Sequence, residues 1–496
     1  MTDAAPRHLY RAEQVRELDR RFIEVHGVPG FELMQRAAHS AFDALRGQWP
    51  GARALGIVAG PGNNGGDGLL VGALALQAGL NVQLSLVGDA DRARGAAAQA
   101  LAAFREAGGV VDSELKLPDH DVDVVVDALL GTGLSRPLEG RFLEAVRLMN
   151  SAASAGAGLA AVDIPTGLDA DTGRVWGECV RADITPSFIG AKLGLYTGAG
   201  PAYSGRILFD GLGAPASVYA DVPVAACRLC AEDRMPALAP RDRAAHKGRF
   251  GHVLCVGGNT GMAGAVVMAA EAALRTGAGL TSVATRAAHA GLTAMIRPEI
   301  MCRGVETNGE LAALLRSASV AAIGPGLGQD GWARRVLARA LDSRLPLVVD
   351  ADALNLLAQE PIARGDWVLT PHPGEAARLL GCKTSAVQDD RPEAARRLAR
   401  EFNAVVVLKG AGTLVATPSG ALWLSDTGNP GMASGGMGDT LTGVIAGLLA
   451  QTADSALAAR LGVWIHGRAA DLAAADGERG LAASDLLPHV RRLVNP

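Results

Sequence analysis

The 496-residue chain reads as two α/β domains in series, each a parallel sheet layered by helices. Three observations predict this. Apolar runs of strand length alternate with Ala/Leu-rich stretches of helical length, the pattern of strand–helix–strand units. Glycine, 63 residues in all and about twice its ordinary share, gathers in short loops directly after the apolar runs. Between about Leu212 and His246 the alternation stops at Pro215, Pro223, Pro236 and Pro240, and beyond them a second series begins. The expected domains are residues 1–220, a three-layer sandwich, and residues 235–496.

The first domain offers strands at Ala54–Ala59, Val82–Val87, Val122–Asp127, Leu159–Asp163 and Arg206–Asp210, with a helix from Leu69 to Gly79. Four of these strands run straight into Gly, Asp or Asn clusters, which puts polar groups at strand carboxyl ends, where open parallel sheets bind ligands. The second offers strands at Val253–Val256, Leu280–Ala284, Val320–Ile323, Leu347–Asp350, Trp367–Thr370 and Val405–Lys409, and helices at Ala263–Thr276, Met437–Ala450 and Ala456–Ala475. Hydrophobic residues, 49% of the chain, supply the cores, and 20% charged residues are too few for a disordered polymer.

Charge and composition exclude several classes. Lys plus Arg is 47 against 51 for Asp plus Glu, and the formal charge of −4 leaves no basic excess for gripping a phosphate backbone, so nucleic acid is not an expected partner. The apolar run Leu441–Ala450 falls far short of a membrane span, and Arg7, Arg11, Glu13, Arg16, Glu17 and Asp19 interrupt any signal-like segment. A cytoplasmic protein with no membrane partner is expected. Cys227 and Cys230 form a CxxC without a second pair to complete a zinc site, so reduced thiols are expected.

The first motif is Gly60-Pro-Gly-Asn-Asn-Gly-Gly-Asp-Gly68, between a strand and a helix. A turn so rich in residues that tolerate positive φ suits a phosphate at a helix N-terminus. Asn63, Asn64 and Asp67 add groups for ribose hydroxyls or a cation. Asp127-Ala-Leu-Leu-Gly-Thr-Gly-Leu134 and Asp163-Ile-Pro-Thr-Gly-Leu-Asp169 follow the next strands. Asp67, Asp127 and Asp163 converging beside such a loop would repel one another unless a cation, a proton or a catalytic duty accounts for them. Lys192, in Ser187-Phe-Ile-Gly-Ala-Lys-Leu-Gly194, is either the partner of one of them or a solvated lysine.

The second is Gly428-Asn-Pro-Gly-Met-Ala-Ser-Gly-Gly-Met-Gly-Asp439, leading into a helix at Thr440. Glycines at a helix N-terminus stabilise charge on a transferring phosphoryl group, and the closing aspartate takes the proton of an attacking hydroxyl. Upstream, Lys409-Gly-Ala-Gly-Thr413 ends a strand where a nucleotide's phosphate or base could lie.

These motifs carry a resemblance. NNGGDG, DALLGTGL, DIPTGLD and SFIGAKLGL, in that order, resemble the NAD(P)H-hydrate epimerase (YjeF N-terminal) family, whose fold is Rossmann-like. The resemblance implies that Asn63, Asn64, Gly65, Gly66 and Asp67, with Gly131, Thr132, Gly133, Leu134, Ser135, Arg136 and Pro137, hold a hydrated dinucleotide. It implies K+ on Asn64, Asp127 and Thr166, and contact of Asp163 with the reacting ring. Threonine at 166 stands where the family often has serine, keeping the hydroxyl and adding a methyl. From about residue 240 onward, GNTGMAGA (258–265), GPGLG (324–328), TPHPGE (370–375) and GNPGMASGGMGD resemble the ribokinase-like, ADP-dependent NAD(P)H-hydrate dehydratases. That implies Ala265, Gly326, His372 and Asp439 on the hydrate, and Lys409, Gly410, Ala411, Gly412, Thr413 and Gly438 on the adenylate, with Mg2+ accompanying ADP.

Together the resemblances cover nearly the whole chain and imply a bifunctional repair enzyme acting on NADHX and NADPHX. A kinase fold serves a dehydration because hydroxide leaves poorly and a phosphorylated C6 hydroxyl leaves well. The expected catalytic residues are Asp439 as base and Asp163 with Lys192 as proton movers; a homo-oligomer is expected. Two rivals remain open on the residues alone. One is a kinase of a small vitamin-precursor alcohol, betrayed by a stable phosphorylated product; the other gives the first domain a binding role only.

Overall fold

The computed structural model describes residues 6–89, 93–117, 122–234 and 238–495. It divides into two compact units, Met1–Cys227 and Arg228–Pro496. Pro236 and the expected domain limits at 1, 235 and 496 lie outside the described residues.

Unit 1 is a seven-stranded sheet in the order Val111–Asp112, Asn81–Leu86, Ala54–Ala59, Val124–Ala128, Gly158–Ala161, Ile184–Phe188, Arg206–Asp210. Every pairing in it is parallel. The period-two alternation of strands sorts side chains to two faces. Ile57, Val124 and Val126 join a core with the helices Gly30–Gln48, Asn63–Gln77 and Ala96–Glu106, whereas Val58, Val125 and Leu159 join another with Gly140–Ser154. This is a three-layer sandwich. The chain builds outward from Ala54–Ala59, then returns to place Val124–Ala128 on its other side, so the topological switch point lies between those two strands.

Unit 2 repeats the logic. Its strands run Met301–Gly304, Leu280–Thr285, His252–Val256, Val320–Ile323, Leu347–Val349, Trp367–Leu369, Val405–Leu408, Thr413–Ala416, Leu422–Ser425, parallel until the last two join antiparallel. The switch point falls between His252–Val256 and Val320–Ile323. The helices Ala263–Thr276, Met437–Thr452 and Ser455–Ala473 share one buried cluster with alternate residues of these strands.

Several elements depart from expectation. The helix expected at Leu69 begins at Asn63, so the glycine run forms its first turns. Ile184–Phe188 was not expected as a strand, because its centre is Thr185-Pro186-Ser187 and proline argues against an interior strand. The strand expected to reach Asp163 ends at Ala161. The hairpin Thr413–Ala416 and Leu422–Ser425 has four-residue arms, short enough to be taken for loop.

Candidate active sites

In unit 1 the glycine run works differently from the expectation. Gly60, Gly62, Gly65, Gly66 and Gly68 are absent from the positive-φ set, so none is there for left-handed backbone. Four of them, all but Gly62, are glycines for close approach: a Cβ on Gly65 would lie 1.8 Å from the Gly60 carbonyl oxygen, and one on Gly60 2.0 Å from that of Leu129. The helix N-terminus is thereby pressed onto the loops of both strands at the switch point. Asn64 comes to rest against Gly131. Gly131 and Gly133 to Pro137 line a cavity of about 390 Å³ with Leu130, Leu138, Glu139 and Phe142. The Thr132 carbonyl accepts from Arg16 Nη2 at 3.4 Å.

Beside this loop Asp127 is fully buried. Its Oδ1 accepts from Thr166 Oγ1 at 2.7 Å and from Leu129 N at 3.1 Å, and its Oδ2 from Thr166 N at 2.7 Å. Burial pushes its carboxyl up to about 6. Asn64 Nδ2 is buried without a hydrogen-bond partner among the described residues.

Asp163 stands at φ 68, a left-handed conformation that costs a non-glycine residue of order 1–3 kcal/mol. Its Oδ1 takes all three donors: Lys192 Nζ, Phe188 N at 3.2 Å and Ser187 Oγ at 3.4 Å. Lys192 is 1% exposed, so it is the aspartate's partner and not a solvated lysine. Asp67 and Asp19 lie in the same electrostatic neighbourhood. Burial, then Asp163 and Asp19, push the Asp67 carboxyl well above the usual range; burial, opposed by Lys192, pushes Asp19 up to about 7.

In unit 2, Gly326 at φ 57 and Ala265 meet across the switch point: a Cβ on Gly326 would lie 2.6 Å from the Met262 carbonyl oxygen and 3.1 Å from Ala265 Cβ. Asp350, buried at a strand's carboxyl end, accepts from Lys409 Nζ at 2.7 Å and Thr442 Oγ1 at 2.8 Å. Burial opposes its ionisation, but the ammonium outweighs it and holds the carboxyl below its usual value. Glu375 Oε2 lies 3.9 Å from Lys409 Nζ. Gly438 faces this pair: a Cβ on it would lie 3.4 Å from Lys409 Nζ and 3.5 Å from Asp350 Oδ2.

Asp439 follows in the first turn of the helix Met437–Thr452, which Gly436 starts at φ 90. Burial, then the Asp350 charge, push its carboxyl up to about 6 while Lys409 pulls the other way. The glycine loop before it is tied down at its start: the Asp471 carboxylate accepts from Gly428 N at 3.1 and 3.2 Å and from Asn429 Nδ2 at 3.2 Å. His372 caps the helix Pro373–Leu380, its Nδ1 accepting from Gly374 N and Glu375 N at 2.9 and 3.3 Å. Lys409 to Thr413 form a closed loop, Thr413 Oγ1 donating to the Gly410 carbonyl at 2.8 Å, with Gly410 and Gly412 at φ 140 and 61. Buried Arg391 supports it from beneath through the Leu408 and Lys409 carbonyls.

Residues 253–492 match the family model for NAD(P)H-hydrate dehydratase, and residues 30–194 match that for the YjeF-related protein N-terminus. The bifunctional NAD(P)H-hydrate repair enzyme of Coxiella burnetii is 47% identical over 492 residues, 98% of this chain and 99% of that protein. The chain belongs to the bifunctional NAD(P)H-hydrate repair enzymes. The enzyme of that name from Escherichia coli K12 is 44% identical over 99% of this chain and 95% of its own. A crystal structure of a ribokinase-like superfamily protein from Enterococcus faecalis covers 54% of this chain and 96% of its own at 31% identity, with a TM-score of 0.50.

As a member of the bifunctional NAD(P)H-hydrate repair enzymes, the chain carries an enzyme site in each unit, and each site holds residues beyond those the motifs suggest. The carboxylates that converge in unit 1 are Asp19, Asp67 and Asp163 around Lys192, whereas Asp127, expected among them, is spent on Thr166. Asp19 comes from the N-terminal helix Ala12–Glu24, read in the sequence only as part of a charged stretch. In unit 2 Asp350, Thr442 and Glu375 were not singled out. Asp350 carries the signal used for Asp127, an aspartate closing an apolar strand, and Glu375 lies inside the quoted TPHPGE.

Proposed function

We propose that unit 1 interconverts R- and S-NAD(P)HX and that unit 2 dehydrates S-NAD(P)HX with ADP as phosphoryl donor, releasing NAD(P)H, AMP and phosphate. The observation that carries the reading is Asp439: a half-buried carboxylate, held near 6, in the first turn of a glycine-led helix beside the Lys409–Asp350 pair. A base at that place and a helix N-terminus facing the same space are what transfer of a phosphoryl group to a hydroxyl requires.

In unit 2, Asp439 takes the proton of the C6 hydroxyl as its oxygen attacks the β-phosphorus of ADP and the bond to AMP breaks. The backbone N–H groups of Gly436 to Gly438 face the charge on the moving group. Phosphate then leaves C6 with the bonding pair, pushed by the ring nitrogen, and loss of a C5 proton closes the C5=C6 bond. Lys409 to Thr413 hold the adenylate, with Lys409 fixed by Asp350 for the phosphates; Ala265, Gly326 and His372 border the hydrate. Mg2+ bound to the donor's phosphate oxygens would neutralise their charge.

In unit 1, Asn63 to Asp67 and Gly131 to Pro137 hold the dinucleotide while Asp163, paired with Lys192, moves the proton of the C6 hydroxyl. Asn64, Asp127 and Thr166 bring oxygens that fit K+: a side-chain amide carbonyl, a buried carboxylate with no cationic side chain among its hydrogen-bond partners, and a hydroxyl bonded to it. The ion would supply the positive charge that balances Asp127 and fix the two loops. Among the described residues no helix is long and apolar enough to cross a membrane, and the reading is of an enzyme acting on dissolved nucleotides.

The test is incubation of the pure protein with mixed NADHX epimers and ADP or ATP, following reduced-nicotinamide absorbance. Full recovery with a nucleotide and none without it is expected. A stable phosphorylated alcohol and no recovery would return unit 2 to a vitamin-precursor kinase.

A further inference from the structure

The helix Ala12–Glu24 buries Val15, Leu18 and Phe22, the i, i+3, i+7 stripe that seats it on the core of unit 1. Its N-terminal end is fixed by Ala12 N donating to Asp171 Oδ1 at 2.6 Å. Asp19 stands on the edge of that same face, four residues after Val15 and three before Phe22, with exposed Arg16 next to it on the solvent side. Arg16 reaches the Thr132 carbonyl in the Gly131–Pro137 loop. A Cβ on Gly190, in the segment leading to Lys192, would lie 2.9 Å from Leu18 Cδ1 and 3.0 Å from Val15 Cγ2, so the helix packs on that segment, and half-buried Asp19 feels the charges of Lys192 and Asp163. The helix thus lies along the rim of the site.

The titratable groups coupled to Asp19 through their charges come from four elements: Asp67 of the helix Asn63–Gln77, Asp163 from the loop after Gly158–Ala161, Lys192 of Ala191–Lys192, and Tyr219 of Ala216–Tyr219. Asp163 gives Oδ1 to three donors, which leaves Oδ2 without a donor among the described residues and one proton to carry. Opening a hydrated ring at C6 moves two.

We propose that Asp19 is a second catalytic acid–base residue of the epimerase site, working with Asp163 on the hydrated nicotinamide ring. The inference rests on the epimerase reading above. In the forward step Asp163 takes the proton of the C6 hydroxyl, the oxygen's electron pair forms C6=O, the C6–N1 bond breaks with its pair on nitrogen, and Asp19 protonates N1. After rotation about C5–C6 the nitrogen pair attacks the other face of C6, Asp19 recovers the N1 proton and Asp163 returns its proton to oxygen. Nothing is consumed, so the step is an isomerisation. A carboxyl held near 7 by burial is protonated often enough at neutral pH to donate and ionised often enough to take the proton back.

The test compares Asp19→Asn and Asp19→Glu with the wild type as full-length protein, with R-NADHX as substrate and its conversion to the S epimer read directly. Wild-type epimerisation should fall as pH rises through about 7, where Asp19 loses the donated proton. Asp19→Asn should slow epimerisation about 10²-fold or more and lose that alkaline fall, while dehydration of S-NADHX is unchanged. Asp19→Glu should keep the fall and recover much of the rate. Wild-type speed in Asp19→Asn, or slowing with the alkaline fall intact, overturns the role. Should Asp19→Asn fail to fold, an Asp19→Glu profile without the fall does the same. A wild-type protein that interconverts no epimers overturns the epimerase reading itself.

Discussion

Asp439 and Asp163 make opposite predictions. Replacing Asp439 with Asn removes the base for phosphoryl transfer; dehydration of S-NADHX should drop about 10²-fold or more while epimerisation stays near wild type. In the wild type, dehydration should climb as pH rises through about 6, because a base held there works only after losing its proton. A flat profile between pH 5 and 7 would remove Asp439 from that role. Asp163→Asn should leave S-NADHX turnover untouched and strand the R epimer of a mixture, apart from its slow spontaneous exchange; complete conversion at the wild-type rate would refute it. At this scale the sequence was informative wherever a carboxylate closes an apolar strand, as at Asp127 and Asp163. It was silent on Asp19, which reaches the site from a helix far away in the chain, since proximity across 144 residues leaves no local pattern. Lys192 was legible only as an alternative, because burial decides between a paired and a solvated lysine and no spacing encodes it.

Among elements, the two glycine-led helices show how similar strings serve different physics. The run at 428–439 does use left-handed backbone, at Gly428 and Gly436, as turn chemistry predicts. The run at 60–68 does not; there Gly60 and Gly65 admit a neighbouring backbone and Gly66 and Gly68 a neighbouring side chain. Gly65→Ala should therefore destabilise unit 1 by about 1–3 kcal/mol or more, because the carbonyl 1.8 Å from the new methyl belongs to main chain that cannot rotate away. Gly47→Ala, in the last turn of Gly30–Gln48 with nothing within 4 Å of the new methyl, should be neutral or stabilising by up to about 1 kcal/mol. Thermal melts of the two variants decide it; equal melting temperatures would refute the close-approach account. The helix expected at Leu69 starts six residues earlier for the same reason: glycine reads as a breaker by propensity, and only the packed structure shows it serving as the first turn.

At the scale of the molecule, each unit carries its own switch point and site. The alternation of strands and helices made both sheets legible, while the edge strand Met301–Gly304 and the hairpin Thr413–Ala416 and Leu422–Ser425 escaped because strands of four residues carry little pattern. If the sites act separately, an equimolar mixture of the Asp163→Asn and Asp439→Asn proteins should clear both epimers, with the intermediate crossing through solution. Failure of that mixture, with each single activity present, would mean that the intermediate is handed on within one chain. The joining of both units in one polypeptide has a kinetic meaning as well. A single translation event makes both active centres, so their molar ratio is fixed at one whatever the expression level. A reversible exchange feeding an irreversible drain then empties the pool from any starting ratio of epimers, and the half-life of the damage is governed by the slower of two turnover numbers, with no dependence on matched synthesis of two proteins.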